Sequence, residues 1–291
     1  MPRTSADKSK AKAVVKQVSA GDGPSSSYGP QYFSHYFDAQ SKSGERAYER
    51  SDHWMRFFGS VADHIVSDIG PRTVLDAGCA MGFLVEALRD RGVEASGIDI
   101  SEYAISQVRP DIKAFCRQGS VTDPLPSRYD LIVSIEVLEH LVAEDAIRAV
   151  NNLCSATTDL IFSSTPQDYR EITHVNVQPA EWWAEVFAKQ GFFRDVEYDP
   201  SSYVSPWAVR YRRTQDTFPR TVGGYERLVA RLKSENRTLR QLAAEQRGQL
   251  DRVEDLERVS APKLLARTLL PAESSRGRLV RRLVKRPRPP S

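Results

Sequence analysis

The 291-residue chain has few cysteines and no long apolar run. Its three cysteines, Cys79, Cys116 and Cys154, have unrelated spacings. This excludes a disulfide framework or a cysteine-based metal knuckle and predicts reduced thiols. No run approaches the roughly 18 apolar residues of a membrane span, and the first residues lack the apolar stretch of a signal peptide. We therefore expect a cytoplasmic protein.

The excess of positive charge is also small. The 41 Lys and Arg residues are nearly balanced by 38 Asp and Glu residues, which leaves a net charge of +3. Such a balance argues against nucleic acid as a partner, because binding a phosphate backbone depends on concentrated positive charge. With 40% apolar residues, the chain can bury one sizeable core with appendages.

A ligand site is predicted where a short apolar strand meets a glycine-rich turn at residues 76–82. A second strand ends in Asp99, 21 residues after Gly78. A dinucleotide fingerprint would need two more glycines, at the positions of Ala80 and Phe83. The turn therefore leaves room for a ligand but builds no pyrophosphate cradle. The alternative is an ordinary strand–helix turn with an incidental acid.

The pattern D-x-G-x-x-x-G in this turn resembles the first motif of the class I S-adenosylmethionine-dependent methyltransferases. The resemblance implies that Gly78 and Gly82 line the methionine part of the cofactor. It also implies that Asp99 accepts hydrogen bonds from both ribose hydroxyls. The adenine contact falls at Ser120, where the family commonly has an acid, so a hydroxyl or a backbone N–H replaces that acid. The implied cofactor-binding residues are Asp76, Gly78, Cys79, Ala80, Gly82, Asp99, Ile100, Ser120, Val121 and Glu136.

Apolar runs at 129–135 and 159–163 continue the α/β pattern. The resemblance implies a Rossmann-like, seven-stranded, mostly parallel sheet with helices on both faces, ending in an antiparallel strand pair. A C-terminal helical or coiled-coil extension follows. The predicted regions are a disordered tail at 1–27, an aromatic-rich cap and helix at 28–70, the S-adenosylmethionine-binding domain at 71–215, a heptad helix at 222–258 and a basic tail at 259–291.

Aromatic side chains crowd the region before the first predicted strand. They either stack on a sugar or base in the substrate site or fill the core against the sheet. These residues are Tyr28, Tyr32, Phe33, Tyr36, Phe37, Tyr48, Trp54, Phe57 and Phe58.

Candidate catalytic groups follow the fourth predicted strand. Glu136, Glu139 and His140 have i, i+3 and i+4 spacing, which would put them on one face of a helix that begins there. His174 lies in a polar loop after the next strand. The metal-dependent small-RNA 2′-O-methyltransferases have the same E-x-x-E-H spacing with a later histidine, and the ubiquinone-biosynthesis O-methyltransferases share the E-x-x-E-H run.

Three roles for these residues stay open. Glu136, Glu139, His140 and His174 hold a divalent cation such as Mg²⁺. Alternatively, His140 or His174 acts as a metal-free general base near Glu136. In the third interpretation, the set only shapes the cofactor pocket.

After Gly223 the pattern changes to heptads with mostly polar residues between them. This pattern predicts a coiled-coil partner or a homodimer, and the alternative is one solvated helix lying on the domain. The segment 276–290 is basic and amphipathic, which suits peripheral contact with an anionic membrane surface. The alternatives for this segment are contact with nucleic acid and a solvated charged tail. The predicted core positions are Tyr225, Leu232, Leu239, Gln246 and Val253 in one row and Leu228, Glu235, Leu242, Gln249 and Leu256 in the other.

The stretch 164–213 with the trailing heptads resembles bacterial methyltransferases that accompany glycosyltransferases in surface-polysaccharide assembly. That resemblance implies S-adenosylmethionine-dependent O-methylation of a sugar hydroxyl on a glycan or lipid-linked saccharide. The alternatives are an RNA 2′-O-methyltransferase, an enzyme acting on a small phenol or quinone, and a non-catalytic scaffold that binds the cofactor.

Overall fold

The computed structural model describes residues 27–34, 47–169, 171–214 and 218–269 of the chain. The chain divides into two compact units, Met1–Asp216 and Thr217–Ser291. The predicted disordered tail at 1–27 lies outside the described residues except for residue 27. Tyr36 and Phe37 also lie outside them, and so do residues 270–291 of the predicted basic tail.

A seven-stranded sheet forms the centre of the first unit. The order of its strands is β3-β2-β1-β4-β5-β7-β6, and β7 runs antiparallel to the other six strands. The predicted mostly parallel sheet with an antiparallel end is therefore confirmed. The strands are β1 (Thr73–Ala77), β2 (Glu94–Asp99), β3 (Cys116–Gln118), β4 (Leu131–Ile135), β5 (Asp159–Ser163), β6 (Phe192–Arg194) and β7 (Val209–Arg213).

Helices connect the strands and cover the sheet. A π-helical turn, Ile65–Ile69, extends the second helix to Gly70, whose left-handed conformation (φ 65°) ends it. The α-helices are α1 (Pro30–Ser34), α2 (Asp52–His64), α3 (Phe83–Arg89), α4 (Glu102–Ser106), α5 (Ala143–Ala156), α6 (Ala180–Ala188) and α7 (Phe218–Leu269). Short 3₁₀ turns span Lys113–Phe115, Leu138–His140 and Pro200–Ser202.

Two apolar cores lie on opposite faces of the sheet, because successive strand residues point to opposite sides. In β1, Val74 packs with side chains of α2 and α3, whereas its neighbour Leu75 packs with α5 and α6. In β5, Ile161 packs in the same core as Val74, and Phe162 packs in the same core as Leu75. The strands thus bury both faces, which explains their near-continuous apolar sequences.

The segment before β1 is held to this framework by polar contacts. Trp54 donates its indole N–H to the Ala47 carbonyl at 2.9 Å. Arg50 contacts the buried carboxylate of Glu86 at 2.5 Å, and Arg109 lies 3.0 Å from the same carboxylate. Because a buried carboxylate is costly without a partner, both guanidinium groups stabilise Glu86, and the contact of Arg50 holds this segment in place.

The second unit consists, over its described residues, of the long helix α7. The predicted heptad region 222–258 lies entirely within this helix. Across the described part of the chain, no helix is both long and apolar enough to cross a bilayer.

Close packing of β2 against the turn after β1 and against α3 depends on a small residue at Gly97. A Cβ atom there would lie 2.5 Å from the sulfur of Cys79 and 3.1 Å from Val85. We expect Gly97→Ala to lower the free energy of unfolding by about 1–3 kcal/mol, because overpacking forces neighbours off their preferred positions. Chemical denaturation measures this difference.

Gly59→Ala is the matched control, since the nearest atom to its added Cβ would be at an ordinary 3.6 Å. Gly59 lies inside α2, where alanine is favoured over glycine by about 0.5–1 kcal/mol. Equal stability of the two variants would contradict the packing argument.

Candidate active site

One cavity of about 640 Å³ lies at the carboxyl ends of the parallel strands. The loops after β1 and β4 flank it at the position where the strand order reverses, which is where α/β sheets bind ligands. Residues at or just after the ends of β1, β2, β3, β4 and β5 all line this cavity. In that order, one residue from each strand end is Gly78, Asp99, Ser120, Glu136 and Thr165.

The turn after β1 takes an unusual backbone path. Gly78 and Gly82 have φ angles of 94° and 75°, a region that favours glycine. A side chain at Gly78 would also overlap Val137, which lies in the loop after β4. Ala80 adopts φ 45° although it carries a Cβ. Such strain in a non-glycine residue persists only where surrounding contacts fix the backbone.

Asp99 supplies those contacts. One of its carboxylate oxygens accepts the N–H of Ala80 and the other accepts the N–H of Ser101, both at 2.8 Å. Each carboxylate oxygen has a second lone pair, so the group can still accept two hydrogen bonds from a ligand in the cavity. Burial raises the pKa of Asp99, and the two backbone N–H groups oppose that shift. This geometry suits the two ribose hydroxyls of an adenosyl group.

Asp76 adds a second buried acid to the cavity lining. Burial, together with the charge of Asp99, raises the pKa of Asp76 to about 8. Two desolvated acids at one end of a cavity favour a cationic ligand, since a nearby positive charge stabilises their ionised forms. S-adenosylmethionine carries a sulfonium and an ammonium group, so the donor set fits the cofactor that the sequence predicts.

The other predicted cofactor residues lie mostly on the same cavity wall. Cys79, Ile100 and Val121 line it. Ser120 lines it as well, and its hydroxyl is 2.7 Å from that of Thr122. Gly82 is not among the lining residues and instead precedes the first residue of α3. The cofactor roles of these individual residues stay predictions.

Neighbouring donors hold the carboxylate of Glu136 in place at the cavity wall. One carboxylate oxygen accepts the hydroxyl of Ser163 at 2.5 Å and the indole N–H of Trp207 at 2.6 Å. The other oxygen accepts the N–H of Thr165 at 3.1 Å. The residue also has a positive φ of 53°. These contacts join the ends of β4 and β5 to the approach of β7.

The spacing of Glu136 and Glu139 predicts that they share one face of a helix. They do not, because only a 3₁₀ turn, Leu138–His140, forms there. Its side chain is fully buried, and one oxygen is 3.4 Å from the N–H of Thr165. Burial first, and then the charge of Glu136, raises the pKa of Glu139. The raised pKa disfavours a negative charge on Glu139.

His140 and His174 do come together, but with Glu171. One ligand atom of each of these three residues lies within 4.8 Å of the other two. The ring of His174 contacts the Asp168 carbonyl through Nδ1 at 3.0 Å and Glu171 through Nε2 at 3.4 Å. His140 bonds the backbone of Thr173, and its buried Nδ1 has no hydrogen-bond partner.

The described structure thus brings together only two of the four residues in the predicted metal set. His140 and His174 remain, whereas Glu171 takes the place of Glu136 and Glu139, whose oxygens face the backbone and side chains around Thr165. Burial, with the charge of His174, lowers the pKa of His140 to about 3. Its ring is therefore neutral, with a lone pair available to a ligand.

Aromatic side chains wall the remainder of the cavity. Phe33, Tyr48, Trp54 and Phe58 are buried in the core, which agrees with the core-filling alternative, yet all four also line the cavity. The half-buried rings lining it are Tyr28, Tyr32, Phe57 and Trp207.

Sequence reasoning missed two functional candidates here. Glu171 lies in the loop identified as polar, and its acidic side chain three residues before His174 was the available signal. Trp207 reaches the cavity only because β7 pairs with β5, and no local pattern shows that.

We expect Asp99→Asn to weaken binding of S-adenosylmethionine about 10- to 100-fold, because an ionised acceptor contributes about 1.5–3 kcal/mol. Isothermal titration calorimetry on the purified chain measures the affinity. Asp63→Asn is the control, since Asp63 is exposed and pairs with Arg91 instead of lining the cavity. Unchanged affinity in Asp99→Asn would remove the ribose role.

Comparison with known proteins identifies relatives of this chain. It is 27% identical over 190 residues to a ubiquinone biosynthesis O-methyltransferase of Alkalilimnicola ehrlichii, a match that covers 56% of this chain and 76% of that protein. A second relative of the same name, from Idiomarina loihiensis, is 30% identical over 97 residues, which is 31% of this chain and 40% of that protein. The match thus spans less than half of the second relative.

Among solved structures, magnesium protoporphyrin IX methyltransferase from Synechocystis is similar, with a TM-score of 0.46 and 20% identity over 55% of this chain and 83% of that chain. The family model described as a methyltransferase domain matches residues 46–195, more than half of the sequence. Both the predicted enzyme class and the predicted cofactor are thereby confirmed at the level of the family. The chain belongs to the methyltransferase domain family and is a class I, S-adenosylmethionine-dependent methyltransferase.

Proposed function

We propose that this enzyme methylates the phenolic hydroxyl of a small aromatic acceptor. The observation that carries the proposal is the cluster of His140, Glu171 and His174 in the same cavity as Asp99 and the β1 turn. Cofactor-binding and acceptor-activating groups thus share one space, as a direct transfer requires.

Bound S-adenosylmethionine would supply an activated methyl group on a sulfonium. Asp99 would hold the ribose, and Asp76 would favour the positive charge of the ligand. Tyr28 lies over this region, because its ring packs edge-on against His140 at 5.7 Å and its carbonyl accepts the hydroxyl of Ser101 at 2.6 Å. The cap segment thereby limits water access to the transfer site.

The histidine cluster has the donors of a divalent-cation site. Backbone carbonyls hold one nitrogen of each ring, at Asp168 for His174 and at Thr173 for His140. The other nitrogen of His140 has no partner, and that of His174 faces Glu171, the third member of the cluster. Small side-chain rotations would bring the ligand atoms from within 4.8 Å to the about 3 Å found between ligands of one ion. Two imidazoles with one carboxylate favour Mn²⁺, Fe²⁺ or Zn²⁺ over the Mg²⁺ suggested from sequence.

A cation at this position would lower the pKa of an acceptor hydroxyl, which must lose its proton on methylation. The metal-free alternative assigns proton removal to His140 or His174 directly. We assign Glu136 to neither route, because hydrogen bonds from Ser163, Trp207 and Thr165 already hold its carboxylate in place. Its proposed role is to fix the loop that carries His140.

The aromatic walls support a planar acceptor. Tyr32, Phe57 and Trp207 are half-buried and line the cavity, so a ring can stack between them. Both curated relatives reported above are named as ubiquinone biosynthesis O-methyltransferases, which supports an aromatic hydroxyl.

A sugar hydroxyl, the acceptor favoured by the sequence resemblance, is the second candidate. Asp168 and Glu171 line the cavity beside these aromatic rings, and carboxylates accept hydrogen bonds from hydroxyl groups while aromatic faces cover the apolar side of a sugar. The glycan acceptor therefore stays a prediction, which a comparison of labelled sugar and phenol products tests.

Incubation of the purified enzyme with methyl-labelled S-adenosylmethionine and matched acceptors tests the substrate class. Dihydroxybenzoates represent phenols, and methyl glycosides represent sugars. We expect label in the phenol O-methyl product at least tenfold faster than in any sugar. Faster labelling of the glycosides would reverse the assignment.

The cation is tested by elemental analysis and by calorimetric titration of Mn²⁺ into chelator-treated enzyme. We expect one ion per chain, and Glu171→Gln should weaken Mn²⁺ binding about 10- to 100-fold because a ligand is lost. Glu181→Gln, at an exposed acid in the first turn of α6, is the control and should bind normally.

Affinity for S-adenosylmethionine should not change in the Glu171→Gln variant, since Asp99 and the β1 turn are untouched. Full activity in chelator with no bound ion would reject the cation and leave the histidines as bases.

A further inference from the structure

The long helix α7 exposes an apolar stripe. Seven of its large apolar side chains are exposed: Phe218, Val222, Val229, Leu232, Leu239, Leu242 and Leu250. Except for Leu242, they follow one heptad frame, with 222, 229 and 250 in the first core row and 218, 232 and 239 in the second.

This frame differs from the sequence-based one in one of its two rows. The row of Tyr225, Leu232 and Leu239 is shared. The row that began at Leu228 is replaced by the row of Val222 and Val229, because the structure half-buries Leu228 and exposes the valines.

We propose that the stripe pairs with the same stripe of a second copy of this chain in a parallel, two-stranded coiled coil. The first core row has valine at 222 and 229, and the second has leucine at 232 and 239. β-Branched residues in the first row with leucine in the second favour two parallel strands.

A polar residue in the core supports the same pairing. Asn236 follows Val229 by seven residues and so occupies the first row. An asparagine there pairs with its counterpart across a parallel dimer and sets both register and strand number, at a cost in stability. It would lack that counterpart in another register.

Charges beside the core distinguish the orientations. In a parallel dimer, Glu235 of one copy lies opposite Arg240 of the other, five residues further along, which gives an attractive pair on each side. Lys233, Arg240 and Arg247 occupy the same flanking position in successive heptads. An antiparallel overlap would bring these cations against one another, so the charge pattern complements only the parallel arrangement.

Analytical ultracentrifugation of the full chain tests the dimer. We expect twice the 32.7 kDa chain mass, and we expect Leu232→Lys with Leu239→Lys to raise the dissociation constant roughly 100-fold or more. Thr238→Lys with Gln241→Lys adds the same charge at exposed positions off the stripe and should stay dimeric. Calorimetry with S-adenosylmethionine verifies that each variant keeps its folded first unit.

Single cysteines test the orientation, because the three native cysteines are buried. Val229→Cys and Leu250→Cys should each form a disulfide-linked dimer on mild oxidation. An antiparallel pair could bring at most one of these two positions opposite its own copy. A monomer in the wild-type protein at 100 times the enzyme's assay concentration, or a disulfide-linked dimer in no more than one of the two variants, would overturn the proposal, whatever acceptor the enzyme methylates.

Discussion

The clamp between Asp99 and the turn after β1 is the constraint on which the rest of the site depends. The carboxylate accepts the N–H of Ala80 and holds that residue in a left-handed conformation that alanine resists. The N–H groups of Gly78 and Cys79 both reach the carbonyl of Ile98, the residue before Asp99. The end of β2 therefore shapes the turn after β1. The Asp99 carboxylate that holds this turn also lines the cavity.

Side-chain contacts also fix the loop after β4. Val137 fills the space left by the missing side chain of Gly78, while Glu136 ties this loop to Thr165 after β5 and to Trp207 before β7. His140 follows within one turn. A shift at any of these contacts would move the proposed acceptor groups relative to the cofactor, and methyl transfer is sensitive to such displacement because its reacting atoms must be aligned.

Much of the fold was accessible from the sequence, since it rests on local patterns. Apolar runs at β1, β4 and β5 marked strands buried on both faces, and the glycine spacing with Asp99 marked residues that the structure places at one cavity. The helix predicted within 28–70 forms at Asp52–His64, and a π-helical turn continues it to Ile69. These features depend on periodicity and on residues close along the chain.

What local patterns could not show was which side chains meet across loops. The regular spacing of Glu136, Glu139 and His140 suggested one helical face, yet hydrogen bonds to Ser163 and Thr165 hold Glu136 outside the short 3₁₀ turn. Glu171 joins the histidines because the loop after β5 folds back, with the N–H groups of Val175 and Asn176 bonded to the Glu139 carbonyl. Such contacts arise from tertiary packing.

A crystal structure of the enzyme with S-adenosylhomocysteine most directly tests the claim that Asp99 and the β1 turn hold the cofactor. The account predicts both ribose hydroxyls within hydrogen-bond distance of the Asp99 carboxylate, with the sulfur directed toward the space bounded by His140, Glu171 and His174. A ligand bound elsewhere, or a cavity closed by side chains at this turn, would contradict it.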